Sequence, residues 1–497
     1  MAAPAITGVV NSASLIAPGR PNYGIAQGSI FNVFGSGLGP ATIVAAASVP
    51  LQLTLGGTTV SVTVGGMTVN APLFYSLSTQ LAAILPSNTP AGMGTIAVSY
   101  GGATANFAIT VVVSNVGIYT VDDSGTGAGV VTFPDYSLVT SGNSAAVGNV
   151  LTMWATGLGP TTGSDAALPL QVDLGTDIQV YVGGVLAPVS YQGRAYFAGL
   201  DQVNFTVPVG VTPGCNVSVV IQTGSLVSNT VSIPVAAAGK VCSNPSSEPV
   251  IFSSPSGSTF GQLSLNATTT AGATSYTANA LFGRFFVSES FPNGTPAFGS
   301  CFVTGGDGIV AIAAFVQILN VGPSLTVTPP SGAPLVLAEN GPGSYSGVPL
   351  SLPQGTYQLS NGAGGSDVGP FTASFTVAPP LVWTNQNAAV TVDRTQPLTV
   401  TWTGGDPAGY VLISLQSPAA APIPGIVFTP GTQVTATCAA PVSAGKFTVP
   451  PNVLLAIIPS SAGSVSLTGY SAASLTIQGL DATVTSTYST SAAATFQ

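Results

Sequence analysis

Two stretches of this chain repeat one another, and that duplication constrains the fold more than any other feature. Gly28-Ser-Ile-Phe-Asn-Val-Phe-Gly-Ser-Gly-Leu-Gly-Pro40 returns as Gly148-Asn-Val-Leu-Thr-Met-Trp-Ala-Thr-Gly-Leu-Gly-Pro160. Val62-Thr-Val-Gly-Gly66 returns as Val180-Tyr-Val-Gly-Gly184, and Thr79-Gln80 with Pro86 and Gly92 matches Asp201-Gln202 with Pro208 and Gly214. One fold is therefore built twice, in units of 1–113 and 114–244, each long enough to bury its own core.

Within each copy the apolar residues alternate. Val60 to Val64, Ile96 to Tyr100, Phe107 to Val113, Ile178 to Val182, Val203 to Val207, Val217 to Gln222 and Thr230 to Val235 read as strands. They are rich in Val, Ile, Thr and aromatics and are separated by Gly, Pro and Asn clusters, the pattern of a β-sandwich. Gly (61) and Pro (40) recur without the triplet period of collagen, so they mark turns between short strands. Candidate helical windows break at Gly or Pro before about 12 residues, so no helix is expected. The fold class expected is all-β, a multidomain chain of tandem Ig-like β-sandwiches. Beyond 244, Gly355-Thr-Tyr-Gln-Leu359 followed by Phe371 to Val377 reads as a closing hairpin and Pro379-Pro380 as a boundary. The expected units are 245–380, β-rich, and 381–497, sandwich-like, with one composite unit as the alternative.

Only 6 Lys and Arg and 15 Asp and Glu occur in 497 residues, 4% charged where a globular domain has about 25%. The six cations, Arg20, Arg194, Lys240, Arg284, Arg394 and Lys446, are too few and too scattered for phosphate runs, which excludes nucleic acid. Histidine is absent, so Ser-His-Asp and Cys-His nucleophile systems are excluded with it. The three glutamates, Glu248, Glu289 and Glu339, stand isolated in sequence and do not read as a glycosidase pair. Asp122-Asp-Ser-Gly-Thr-Gly127 lacks the later ligands of a calcium loop and reads as a capped turn between the copies. No catalytic, cofactor or metal residues are expected. Trp154, Trp383 and Trp402, with Tyr75, Tyr191, Tyr196 and Phe197, fit either a sugar-stacking platform or core and strand-face positions, and the alternation around Trp402 favours packing.

Four cysteines with no C-x-x-C pair suit two structural disulfides in an oxidising compartment. Three pairings are open, of which Cys215–Cys242 with Cys301–Cys438 is preferred. The first residues carry no basic n-region and no apolar h-region, so no leader is expected within this sequence. The longest apolar stretch, Ile309 to Val316, is too short to span a bilayer.

Asn11-Ser-Ala-Ser14, the Gly28 to Pro40 segment, Val64-Gly-Gly66 with Ala71-Pro72, Tyr119 to Gly127, Ala155-Thr-Gly-Leu-Gly159, Gly199-Leu-Asp-Gln-Val-Asn204 and Val211-Thr-Pro-Gly214 carry a resemblance. Over residues 5–241 the chain resembles a tandem-duplicated, uncharacterised domain family abundant in secreted acidobacterial proteins. Residues 245–497 are similar to the regions that accompany that pair, most clearly at Asp367 to Phe371, Leu381 to Asn385, Thr399 to Tyr410 and Gly445 to Pro450. The resemblance implies Ig-like (IPT/TIG-like) sandwiches in exported proteins and no catalytic residues. The first copy departs at Thr79-Gln80-Leu81, where the second has Asp201-Gln202-Val203, so any polar role of Asp201 is not shared.

A nearly ion-free surface on strand-rich modules has little charge repulsion between copies and few edge charges to block pairing. The function expected is a secreted, non-catalytic structural subunit that self-assembles into an extracellular filament, tube or sheath. Its first partner is itself, its second a cell-surface or matrix polysaccharide. The rival expectation is a cell-surface adhesin or carbohydrate-binding protein with the sandwiches as spacers.

Overall fold

The computed structural model describes residues 3–168, 171–237, 240–243, 259–286, 295–305, 315–349, 351–418 and 433–497. Glu248, Glu289 and Ile309 to Ala314 lie outside the described residues. No described helix is long and apolar enough to cross a membrane.

The two copies have the same strand order. In the first, Ala5–Asn11, Ile30–Ser36, Gln80–Ile84 and Leu73–Ser76 form one sheet, and Ile25–Ala26, Ala103–Val112, Gly92–Tyr100 and Thr58–Val64 the other. In the second, Gly117–Ile118, Val150–Thr156, Asp201–Thr206 and Val189–Arg194 face Gly127–Ala128, Val231–Val235, Gly214–Thr223 and Gln179–Val182. The short strands Ile25–Ala26 and Gly127–Ala128 pair in parallel in both, and the remaining ladders of each copy are antiparallel, giving Ig-like sandwiches. The repeated Gly-Gly pairs explain themselves. Val64 pairs with Met67 and Val182 with Val185, so Gly65-Gly66 and Gly183-Gly184 are two-residue hairpin loops, and all four glycines have positive φ. Every second side chain points inward. Phe31, Val33, Leu81, Ile96 and Val98 fill the first core, and Leu151, Met153, Val203, Phe205 and Val219 the second.

The rest of the chain is dominated by one 14-stranded sheet. Its backbone is a pair of long hairpins, Thr259–Thr270 with Ala273–Phe286 and Ser460–Ile477 with Leu480–Phe496. Thr259–Thr270 lies parallel to Leu480–Phe496 from Phe260↔Asp481 to Thr270↔Ser491, so the two halves expected to part at Pro379-Pro380 share one ladder. We propose the composite unit for 245–497 on that ground. The Gly355–Ser360 and Thr372–Val377 strands pair as the expected hairpin. Residues 295–300 tie this body to the second sandwich: Ala297 is fully buried in that sandwich's core, and the Gly299 N–H donates to the Ala439 carbonyl at 2.9 Å. One expectation needs correcting, since Pro451–Leu454 forms a single α-helical turn. Pro451 opens it because a first-turn N–H has no intrahelical acceptor to lose.

Candidate functional site

Three features bear on function: the joint between the two sandwiches, the solvent side of the long sheet, and an aromatic face on the second sandwich.

The joint is polar and buried. Asn11 Nδ2 donates to the carbonyls of Asn115 (3.4 Å) and Thr156 (3.2 Å), while its Oδ1 accepts from the N–H of Ala13 and Ser14. Asn115 Nδ2 donates to the carbonyls of Asn22 (3.0 Å) and Gly24 (2.8 Å). At the centre Arg194 and Asp201 form an ion pair, the one salt bridge among the described residues, with both side chains essentially solvent-free. Arg194 Nη2 donates to Gly159 O of its own sandwich (2.7 Å) and to Gly28 O of the other (3.1 Å). Asp201 Oδ2 accepts from the N–H groups of Gly157 (2.7 Å) and Leu158 (2.8 Å). Gly28 has φ +70°, and a Cβ there would run into the guanidinium, so the glycine that opens the first repeat is fixed by a cation of the second. Burial raises the Asp201 carboxyl above the ordinary carboxylate range, against the pull of Arg194 and the two backbone N–H groups. Nearby, the Tyr119 hydroxyl lies 2.9 Å from Ser12 Oγ, and burial pushes it up to about 12. These bonds orient one sandwich on the other.

The outer positions of the long hairpins are rich in hydroxyl and amide groups, with Asp481 exposed at one end and Thr483 and Thr485 buried. Leu263, Leu265, Val465, Leu467 and Val484 turn inward. The alternate positions between Gln262 and Thr270, and between Thr483 and Ser491, carry Gln, Ser, Asn and Thr only. These groups bond sideways across strands: Thr487 Oγ1 to Asn266 Oδ1 (2.8 Å), Asn266 Nδ2 to Thr277 Oγ1 (3.2 Å), Thr468 with Ser489 (2.9 Å) and Thr485 with Ser264 (3.2 Å). Tyr410 and Tyr470 continue the row as parallel rings 4.8 Å apart. At the two ends of the sheet path lie Cys301–Gly305 and Thr372–Val377. Neither carries a charged residue, and Thr372, Ser374 and Thr376 are exposed.

The aromatic face lies on the outside of the second sandwich. Trp154 is one of the strand-face residues: it is half-buried on the outer side of Val150–Thr156, because Leu151, Met153 and Ala155 hold the inward positions of that strand. Its Nε1 donates to Thr132 Oγ1 (3.2 Å), and its ring lies 6.4 Å from that of Tyr136, at 22°. Trp383 and Trp402 do sit in the core. Tyr196 and Phe197 are exposed on the loop after Val189–Arg194, Tyr75 accepts from Gln80 Nε2 (3.2 Å), and the Tyr191 hydroxyl donates to Arg194 O (2.7 Å).

The other residues singled out by sequence do not converge. Asp122 Oδ1 accepts from Ser124 N–H and Oγ in a turn whose Gly125 carbonyl receives Asn229 Nδ2, so this loop closes against the joint. Glu339 is exposed. No group of three metal-ligating side chains occurs among the described residues. Cys215 is bonded to Cys242 and Cys301 to Cys438, the latter two directly opposed across adjacent strands. Sequence reasoning missed Arg194 and Tyr136. A lone Arg has no periodic signature; Tyr136 lay in a Pro-Asp-Tyr-Ser turn whose Asp-x-Ser spacing was a usable signal.

No family model and no curated protein matches the sequence. Among solved structures, domains 5–6 of the S-layer protein SbsC match at 15% identity over 47% of this chain and 99% of that one, TM-score 0.17. Titin Ig tandem domains A164–A165 match at 9% identity, 48% and 100% coverage, TM-score 0.14. Invasin, a bacterial integrin-binding protein, matches at 12% identity, 97% and 78% coverage, TM-score 0.14. Scores of this size add nothing to the description above: the strand order itself makes the chain an all-β array of tandem Ig-like sandwiches.

Proposed function

We propose that the chain is a secreted or cell-surface structural subunit, non-catalytic, that assembles with copies of itself into an extracellular polymer. The observation that carries this reading is the long sheet, with its hydroxyl-rich outer positions and, at the end of its path, the strand Thr372–Val377, whose exposed side chains are uncharged. Edge strands of monomeric proteins are normally guarded by Lys, Pro or a bulge. Here the exposed positions are Thr372, Ser374 and Thr376, none of them charged; the strand lies close to Ser460–Ile477, so accepting a strand from another copy requires that side to part first. The rigid joint supports the same role, since a subunit must hold its modules at fixed angles to propagate a lattice. Two disulfides suit an oxidising exterior, and a chain without histidine lacks the commonest general base.

Sedimentation velocity and negative-stain electron microscopy on the full chain test the reading. Ordered polymers are expected above a threshold concentration, and they persist at about 0.5 M salt because the contacts are not ionic. Ser374→Lys with Thr376→Lys places charge on the edge without touching the core, so polymers are lost while the thermal midpoint stays within about 2 °C, as for ordinary surface changes. A wild-type chain that remains monomeric at every concentration ends the proposal.

A further inference from the structure

The turn Phe133 to Ser137 holds Tyr136 in a left-handed backbone conformation, φ +67°, with the residue 72% exposed. Such a conformation is unfavourable for a bulky side chain and persists only where the surroundings impose it. Here they do: Tyr136 N–H donates to Phe133 O, Phe133 N–H to Ser137 O, and Asp135 Oδ1 accepts from both Ser137 N–H and Oγ. Nothing in the core gains from the ring that this turn displays. Beside it, Trp154 is opposed across the ladder by Gln202, and Thr152 by Asn204. Thr152 Oγ1 (3.0 Å) and Gln202 Nε2 (2.9 Å) both donate to Asn204 Oδ1, and Gln171 Nε2 donates to Gln202 Oε1 (3.3 Å). That arrangement fixes the Asn204 amide with its Nδ2 donor spare among the described residues. In the first copy the matching pair is Phe34 opposite Gln80, but Ala82 stands where the second has Asn204.

We infer that this face of the second sandwich binds a neutral pyranose polysaccharide. Two offset, nearly parallel rings offer an apolar surface for the C–H faces of sugar rings, and the oriented amides of Asn204, Gln202 and Gln171 supply donors and acceptors for hydroxyls. The side chains named on this face are neutral, Arg194 is buried in the joint, and the charged residue next to Tyr136 is the acidic Asp135, which disfavours an anionic ligand. The site is independent of the Thr372–Val377 edge, so binding and assembly fail separately.

The test is native electrophoresis of the full chain in gels containing hydroxyethylcellulose, xyloglucan, galactomannan or glycol chitin. Retardation by at least one polymer is expected, unchanged in about 0.5 M salt. Tyr136→Gly removes the ring and relieves the left-handed backbone together, so apparent affinity falls about tenfold while the thermal midpoint holds or rises. Asn204→Leu lowers affinity similarly, whereas Ser374→Lys leaves it alone. No retardation in any of the four gels overturns the assignment. So does a Tyr136→Gly chain retarded like wild type, a salt-sensitive interaction, or a Tyr136→Gly chain that alters self-association alone.

Discussion

Replacing Asp201 by Ala tests the joint where it is most exposed to error. The substitution leaves Arg194 at 2% exposure with no counter-ion and strips the Gly157 and Leu158 N–H groups of their acceptor. Removing one partner of a buried pair costs about 3–5 kcal/mol, because the remaining charge can neither reach water nor find a substitute. For a sandwich of this size each kcal/mol moves the midpoint by roughly 4 °C, so the second sandwich should melt about 10–20 °C early. The assay is differential scanning calorimetry of the full chain, with hydrogen exchange at Gly157 and Leu158 as the local readout. Two further variants separate charge from shape. Asp201→Asn keeps an acceptor for the two N–H groups and should lose less. Adding Arg194→Leu to Asp201→Asn removes the stranded cation and should recover part of the loss, since a buried pair replaced as a unit is often nearly neutral. An Asp201→Ala chain that melts within about 2 °C of wild type refutes the reasoning, because it means that water or a shifted backbone serves Arg194 at little cost.

Gly28→Ala should destabilise the joint by at least about 1 kcal/mol, from the positive φ and the displaced guanidinium together, read as a lower urea midpoint. Replacing Cys301 and Cys438 by Ala opens a closure of 137 residues; the chain-entropy model puts the loss near 5 kcal/mol, checked by guanidinium unfolding against wild type with and without reductant. Hydrogen bonds from Ser137 Oγ and N–H hold the Asp135 carboxyl below its ordinary range. A depressed folded value stabilises the turn above the unfolded pKa and loses that contribution as pH falls through the folded one. Acrylamide quenching of Trp154 should therefore rise only below the usual carboxylate range, and Ser137→Ala should move that onset to higher pH.

The two sandwiches were legible because duplication reinforces a pattern that one copy shows faintly. Val60 to Val64 alternates apolar with small polar residues and Val217 to Gln222 is a short β-branched run, and the observed strands Thr58–Val64 and Gly214–Thr223 contain both. The long hairpins were harder to see. In Ser460–Ile477 and Leu480–Phe496 the inward positions include Gly469, Ala473 and Ala482, so the contrast between faces is one of size rather than polarity. The signals that could have revealed them were Ala271-Gly272 and Gln478-Gly479, two-residue loops between β-branched runs. For Trp154 the sequence left core and strand face open, and its phase relative to Leu151 and Met153 decides for the outer face. Nothing in sequence joins Arg194 to Gly28, because their contact depends on the angle between the sandwiches.

The placement of the few charges connects the joint to the surface. A charged group gives up several kcal/mol of hydration when covered, whereas a hydroxyl already bonded to a neighbour gives up far less. On the outer face of the long sheet, Thr487, Asn266 and Thr277 form such a chain, and Thr468 is bonded to Ser489. Covering that face with another copy therefore strips water from groups whose hydrogen bonds are partly made in advance. Arg194 and Asp201 occupy the one place among the described residues where two charges are buried together, and there their directional bonds fix an angle between modules. In the proposed polymer a surface with few charges lowers the barrier to contact between copies, and the buried pair at the joint holds each copy in one geometry. A flexible joint would undo the first by spreading the subunit over many shapes, so Asp201→Ala should raise the concentration at which polymers appear even where the second sandwich stays folded.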